Sequence, residues 1–357
     1  MNAFEPKWAI PPGATVLDLL QERGLPVAYL ARETHRDAQE VSRFLHGLVA
    51  LTDDWAEQLA RVLGATPAFW LRREQLYRSD LERLSTVEEP ADNWLSSLPV
   101  SEMVKYGWIE SGGSRHATLL NACAFLGAAT SEAFKRKYER LLSASAYRQS
   151  NAFTTNYPAV AAWLRQGEIE AAAIDCDPWD SSMLRASLDE VRALTRTSEP
   201  AEFMPKLQQL LARCGVAVVV ARAPNGCRAS GATRFLTPTK ALIQLSFRYL
   251  ADDHLWFTVF HEIGHLLLHS HERVFLEGLE ERNSEAEADA DQFALNILFE
   301  RVGVESLNRV ALSKFDIVRL ARRAGIAPGI VVGQLQDKGR VPFKHFNFMK
   351  VRYAWEN

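Results

Sequence analysis

Residues 257–268 read Phe257-Thr258-Val259-Phe260-His261-Glu262-Ile263-Gly264-His265-Leu266-Leu267-Leu268, a His-Glu-x-x-His pattern inside an apolar run. In a helix, residues four apart project from one face about 6 Å apart, so His261 and His265 can share one ion. Glu262 follows the first imidazole by one position. That places its carboxylate beside an open coordination position, where it can take a proton from an attacking water instead of binding the ion. Phe257, Phe260, Ile263, Leu266 and Leu267 bury this helix, and buried imidazoles need polar partners or a metal. The pattern predicts a zinc centre of hydrolytic type, with His261 and His265 as ligands and Glu262 as general base.

A catalytic zinc takes a third protein ligand. His271 has the spacing of the longer HExxHxxGxxH pattern, but Leu268 stands where that pattern has the glycine that turns the chain back. A continuing helix would carry His271 about 15 Å from His261 along the axis, so His269 and His271 read as C-terminal helix residues. Downstream, residues 283–298 read as an amphipathic helix opened by Asn283 and Ser284, with acids in its first turns. Ala286, Ala290, Phe293, Ala294, Ile297 and Leu298 define its buried face, and Glu287 borders that face more closely than Glu285 or Asp289 does. Glu287 is therefore the expected third ligand and Asp289 the alternative. Asp291, one turn beyond Glu287, is the expected acceptor that orients a ligand imidazole.

Strand-like runs appear ahead of the metal helix at 215–221, 228–235 and 241–249, separated by turns at Pro224-Asn225-Gly226 and Thr237-Pro238. They predict a small sheet. Ala241, Leu242, Ile243, Gln244, Leu245 and Ser246 form the candidate edge strand that would pair with an extended substrate backbone; an interior strand fits the same residues equally well. Tyr249 becomes an oxyanion donor if its hydroxyl reaches the ion.

The N-terminal segment reads as helix, break, helix, tight turn, helix through Thr15 to Ala31 and His35 to Gly47, with Leu30, Val41 and Leu45 at helical spacing for a small core. Two further helices start at Thr52 and Thr66, each capped by the threonine, the second with Pro67 at its first position. Gln39, Ser42 and Arg43 are expected to point outward. Charge argues against DNA, because residues 1–90 hold ten Lys/Arg against fourteen Asp/Glu, a net of −4, and DNA affinity comes largely from phosphate neutralisation. A helical domain used for dimerisation or for gripping a protein partner is the other reading.

Two resemblances follow from these residues. The stretch from Gly215 to Leu298, with His261-Glu262-Ile263-Gly264-His265-Leu266-Leu267-Leu268-His269 and the acid-rich helix ending Phe293-Ala294, resembles the ImmA/IrrE family of metallopeptidases. This implies a zinc-dependent endopeptidase whose substrate is a DNA-binding repressor or other regulator of stress, phage or mobile-element genes. In that family the acid helix carries Glu at both positions aligned with Glu287 and Asp289, so this chain departs at one acid. The N-terminal package, with Ala65-Thr66-Pro67-Ala68-Phe69-Trp70-Leu71, resembles helix-turn-helix domains of the XRE class and HigA-type antitoxins. That implies Gln39, Ser42 and Arg43 facing double-stranded DNA, including the chain's own promoter, a homodimer, and a toxin partner. Segments such as Lys105-Tyr106-Gly107-Trp108 and Trp163-Leu164-Arg165-Gln166-Gly167-Glu168 are similar to those of chains that fuse the two. Arg165 and Glu168 read as an exposed helical ion pair.

The 357 residues, 47% hydrophobic, suit two or three domains with ordinary cores. No run is apolar enough to span a membrane, the first residues lack the order of a secretion signal, and Cys123, Cys176, Cys214 and Cys227 are scattered, as in a reducing cytoplasm. The expected chain is α+β and mostly helical, in three parts. They are a helix-turn-helix bundle over 1–88, a helical connecting region over 89–200, and a zincin-like peptidase domain over 201–357 with a small sheet and the HExxH helix. A HigA-like antitoxin or repressor whose peptidase fold only binds is the alternative function.

Overall fold

In the computed structural model, which describes residues 8–87, 97–143, 153–269, 274–277 and 285–355, the N-terminal residues form five helices: α1 (Pro12–Glu22), α2 (Val27–Thr34), α3 (Ala38–Leu45), α4 (Asp53–Leu63) and α5 (Pro67–Val87). Local chemistry sets their ends. Asp37 caps α3 by accepting from the backbone N–H groups of Gln39 and Glu40, and Thr52 caps α4 by accepting from that of Trp55. Val16, Leu20, Leu30, Val41, Leu45, Trp55 and Leu59 meet in one core. Arg36 ties α2, α3 and α4 together: it pairs with Glu40 at 2.6 Å and Asp54 at 2.8 Å and lies over the Trp55 ring. Two of the acids that weigh against DNA binding, Asp37 and Glu40, are thus structural.

Among the described residues, α6 (Val100–Lys105), α7 (Arg115–Leu126), α8 (Ser131–Ser143) and α9 (Phe153–Ala172) come next. The chain divides into two compact units, one of Met1–Leu142, Thr154–Asp175 and Pro224–Cys227, the other of Ser143–Phe153, Cys176–Ala223 and Arg228–Asn357. The first unit therefore takes in the helix-turn-helix segment and most of the expected connecting region. Residues 88–90 of the expected boundary lie outside the described residues. Arg165 and Glu168 are not the exposed pair that the sequence suggests. Arg165 is buried, its Nη1 is 2.7 Å from Glu168 Oε2, and its Nε donates to the Phe125 carbonyl at 2.7 Å, which ties α9 to α7.

The second unit holds α10 (Ser181–Leu194), α11 (Pro200–Ala212), β1 (Val216–Val220), β2 (Gly231–Thr237), β3 (Lys240–Leu245), α12 (Asp252–Leu268), β4 (Phe275–Glu277), α13 (Glu285–Leu298), α14 (Ser306–Arg309), α15 (Lys314–Ala324) and α16 (Pro328–Asp337). Its strands form a mixed sheet in the order β1-β3-β2-β4; β1 runs parallel to β3, and β2 antiparallel to both β3 and β4. Val216, Val218, Ile243 and Leu245 face a core shared with Phe203, Leu207, Trp256, Val259, Phe260, Ile263 and Leu298. Each of these large apolar side chains contributes about 1.5–3 kcal/mol by leaving water. This packing holds α12 against the sheet. Among the described residues no helix is long and apolar enough to cross a membrane.

β3 corrects one expectation. It lies between β1 and β2, and Ala241, Leu242, Ile243, Gln244, Leu245 and Ser246 are all buried, so none of them offers an edge to an extended peptide. Pairing with β1 and β2 occupies both of its hydrogen-bonding edges. β4, a strand that the sequence reading lacks, occupies the edge beyond β2 instead.

Candidate metal centre

α12 and α13 cross closely because small residues meet between them. A Cβ on Gly264 would lie 3.1 Å from Phe293 Cδ1 and 3.2 Å from Ala290 Cα. The approach carries the acids of α13 onto the imidazoles of α12. His261 Nε2 and His265 Nε2 are 2.9 Å apart; Glu287 Oε2 is 3.3 Å from the first, and Glu287 Oε1 is 3.2 Å from the second. All three side chains are buried, and their ligand atoms lie within 4.8 Å of one another. Tetrahedral ligands about 2.0–2.1 Å from a zinc-sized ion sit about 3.3 Å from each other, so this triangle is nearly of the size such an ion requires. Lone pairs of two imidazoles and a carboxylate converging without a cation would repel one another. The group can hold a metal ion.

The outer contacts fit the same reading. His261 Nδ1–H donates to Asp291 Oδ1 at 2.8 Å, which leaves Nε2 as the lone-pair atom. His265 stacks on Phe275 of β4 with ring centroids 4.0 Å apart and planes 11° apart, and its Nδ1 is 3.1 Å from His269 Nδ1. Asp289 is not in the triangle. It is exposed, with Oδ2 3.7 Å from His269 Nε2, so Glu287 is the acid brought to the imidazoles.

Burial and charge set the protonation of the group. Burial pulls the His261 pKa down, but the Asp291 and Glu287 carboxylates outweigh it and hold it well above the ordinary value. His265 falls to about 4, because burial dominates the upward pull of Glu287 and the neighbouring His261 adds to it. Burial raises Glu287, yet both imidazoles together keep it below the ordinary carboxylate range. A divalent ion would take over the role of the proton on His261.

Glu262 lies outside the ligand triangle. It is fully buried, and neither carboxylate oxygen has a hydrogen-bond partner among the described residues. Burial pushes its pKa well above the ordinary value, against the pull of His261. It packs against the β2 backbone where only glycine fits, since a Cβ on Gly231 would lie 2.3 Å from Glu262 Oε1.

Glu277 is a residue that the sequence reading missed. Alternation along β4 puts it on the same face as Phe275, which stacks on His265. Burial raises its pKa, and His261 and the Thr258 hydroxyl lower it. The signal available in the sequence was the alternation Phe275-Leu276-Glu277 after Val274, which is too short to read as a strand unaided.

Other expected site residues lie elsewhere. Tyr249 stacks on His254 with centroids 4.2 Å apart, near the start of α12 and about two turns before His261. His271, Asn283 and Ser284 fall outside the described residues. On α3, Gln39 is exposed and Arg43 partly so, its Nη1 3.3 Å from the Gly107 carbonyl. Ser42 does not point outward; it is fully buried and its hydroxyl donates to the Ile169 carbonyl of α9. Helix α9 covers the face that helical spacing alone leaves free. Compared with known proteins, the chain matches no family model and no curated sequence.

Proposed function

We propose that the second unit is a zinc-dependent peptide hydrolase of the ImmA/IrrE type, acting on a regulatory protein such as a repressor. The observation that carries this reading is the triangle of His261, His265 and Glu287 with the unpartnered carboxylate of Glu262 beside it. A zinc ion held there would supply Lewis acidity, lowering the pKa of a water and polarising a carbonyl. Glu262, whose pKa burial raises, would take the proton from that water and pass it to the leaving amine. Asp291 would hold the His261 ring in register. The first unit is proposed to grip a protein partner. Reading of promoter DNA through α3 is not part of the proposal, because Ser42 is enclosed and the segment's charge is negative.

The test compares cells making the wild-type chain with cells making Glu262→Gln, by mass spectrometry of new protein N-termini. Fragments present only with the wild type identify the substrate. Cleavage that persists unchanged in Glu262→Gln rejects the general-base role, and purified protein without stoichiometric metal rejects the centre.

A further inference from the structure

Outside the metal centre, the second unit carries a half-open cleft of about 240 Å³ between the α10–α11 connection, α15, the start of α16 and residues Met349 to Tyr353. Val318, Ala321, Ile326, Ala327, Met349 and Val351 give it apolar walls. It exceeds the roughly 150 Å³ of apolar space that takes a benzene ring, so one large apolar side chain fits. Asp252 borders the cleft but is 1% exposed, so the charge that a ligand meets there is that of Arg196 and Arg322. Both arginines are exposed, and neither makes an ion pair among the described residues.

The helix beside the cleft extends this character. α15 buries Ile317, Leu320, Ala321 and Ala324. Such a helix keeps polar residues on its opposite face, yet at 100° per residue Phe315 and Val318 fall on that outer face with Arg319 and Arg322. Phe315 is 71% exposed, and so is Phe348, whose ring centre lies 5.9 Å from the Lys314 ammonium at the first turn of α15. Large apolar side chains gathered on one surface mark an interaction site. The charge around them is positive: the α10–α11 connection and α15 carry Arg196, Lys314, Arg319, Arg322 and Arg323 against Glu199 and Asp316, and Asp316 is already paired with Arg319. We propose that this surface docks an acidic segment of a partner protein. A large apolar side chain of the segment would enter the cleft, and carboxylates flanking it would meet Arg196 and Arg322. Guanidinium groups match carboxylates in bidentate pairs, and an apolar anchor beside such pairs gives a short acidic motif both affinity and register. A nucleic acid fits less well, because its bases need flat aromatic platforms and the cleft walls are mostly aliphatic.

The test uses full-length Glu262→Gln protein, so that its outcome does not depend on the proposed hydrolysis. Selection from a random peptide library should enrich sequences in which Asp and Glu flank a large apolar residue. Fluorescence anisotropy with the enriched peptide should show saturable binding that weakens as NaCl is added, and a serine in place of the apolar residue should remove it. Arg196→Glu and Arg322→Glu, both surface changes, should each weaken binding about tenfold or more. The same peptide with Lys in place of its acids should bind the double variant more tightly than it binds the parent, a reversal that damage to the fold would not produce. Failure to enrich any peptide overturns the proposal, as does an enriched motif without acids or binding that both arginine variants leave unchanged. Tighter binding of oligothymidylate or of phosphatidylserine vesicles than of any selected peptide would also overturn it, giving the surface to a nucleic acid or a membrane.

Discussion

His261 Nδ1 stands 2.8 Å from Asp291 Oδ1, a buried imidazole on one helix held by a half-exposed carboxylate on the next. The contact fixes which ring nitrogen faces Glu287 and His265, so it would govern the affinity of a metal held there without contributing a ligand. Asp291→Ala should lower zinc affinity by about 10–100-fold, whereas Glu287→Ala, which removes a ligand, should abolish tight binding. Competition against a chromophoric chelator measures both. Equal affinity of Asp291→Ala and wild type would remove Asp291 from the centre.

Glu262 gives a pH signature of its own. Burial raises its folded pKa above the ordinary 4.5, so the folded chain keeps a proton that the unfolded chain releases. Stability due to this group is complete below pH 4.5 and is lost as pH rises towards the folded value. Gln cannot ionise. With metal chelated, Glu262→Gln should therefore gain stability over wild type as pH is raised from 5 to 8 in urea melts. A difference that stays constant across that range would mean that burial of charge is not what strains this site.

Asp252 behaves likewise, at a distance from the metal ligands. Burial first, then the neighbouring Asp253, raise it from 3.8 to about 7. Stability from its protonated form should be present below pH 3.8 and decline between pH 3.8 and about 7, by roughly 4 kcal/mol over three pKa units. Asp252→Asn should flatten that part of the pH–stability curve. Parallel curves for variant and wild type would show that Asp252 ionises normally.

Much of the second unit was legible because helical periodicity is local: His261, His265, Glu287 and Asp291 follow from faces of two helices, and the structure brings these four together. The apolar positions of α13 favoured Glu287 and left Asp289 as the alternative; the structure places the Glu287 carboxylate against both imidazoles. Strand order is not local. Nothing within residues 241–246 distinguishes an edge from an interior strand, because that depends on β1 and β2 flanking it. Glu277 was hidden for the same reason: a three-residue strand has meaning only through its pairing with Gly231 to Thr233. Ser42 was misread because the helix that covers it lies more than a hundred residues away in sequence.

The Ser42 contact makes a prediction that separates folding from recognition. Ile169 is near the end of α9, where helix carbonyls lack intrahelical donors, and the Ser42 hydroxyl supplies one. Ser42→Ala should cost about 1 kcal/mol in chemical denaturation and leave any affinity for duplex DNA unchanged. A loss of duplex binding by fluorescence anisotropy, with stability intact, would instead mean that this face is available to DNA.

Gly231→Ala probes the seat of Glu262 most directly. The added methyl would meet Glu262 Oε1 at 2.3 Å and Thr258 Cγ2 at 2.7 Å, distances that real contacts do not reach, so the acid or strand β2 must move. Because β2 is paired on both sides, with β3 and with β4, the carboxylate is the softer partner. The variant should be destabilised by about 1–3 kcal/mol, the usual cost of overpacking a core. The three atoms nearest the added methyl belong to Glu262 and Thr258 and none to His261, His265 or Glu287, so zinc stoichiometry should persist. If the proposed hydrolysis depends on Glu262, activity should fall far more than metal content does. Zinc analysis and peptide cleavage on the same preparation test that separation, and metal lost in step with activity would show that Gly231 supports the ligand triangle instead.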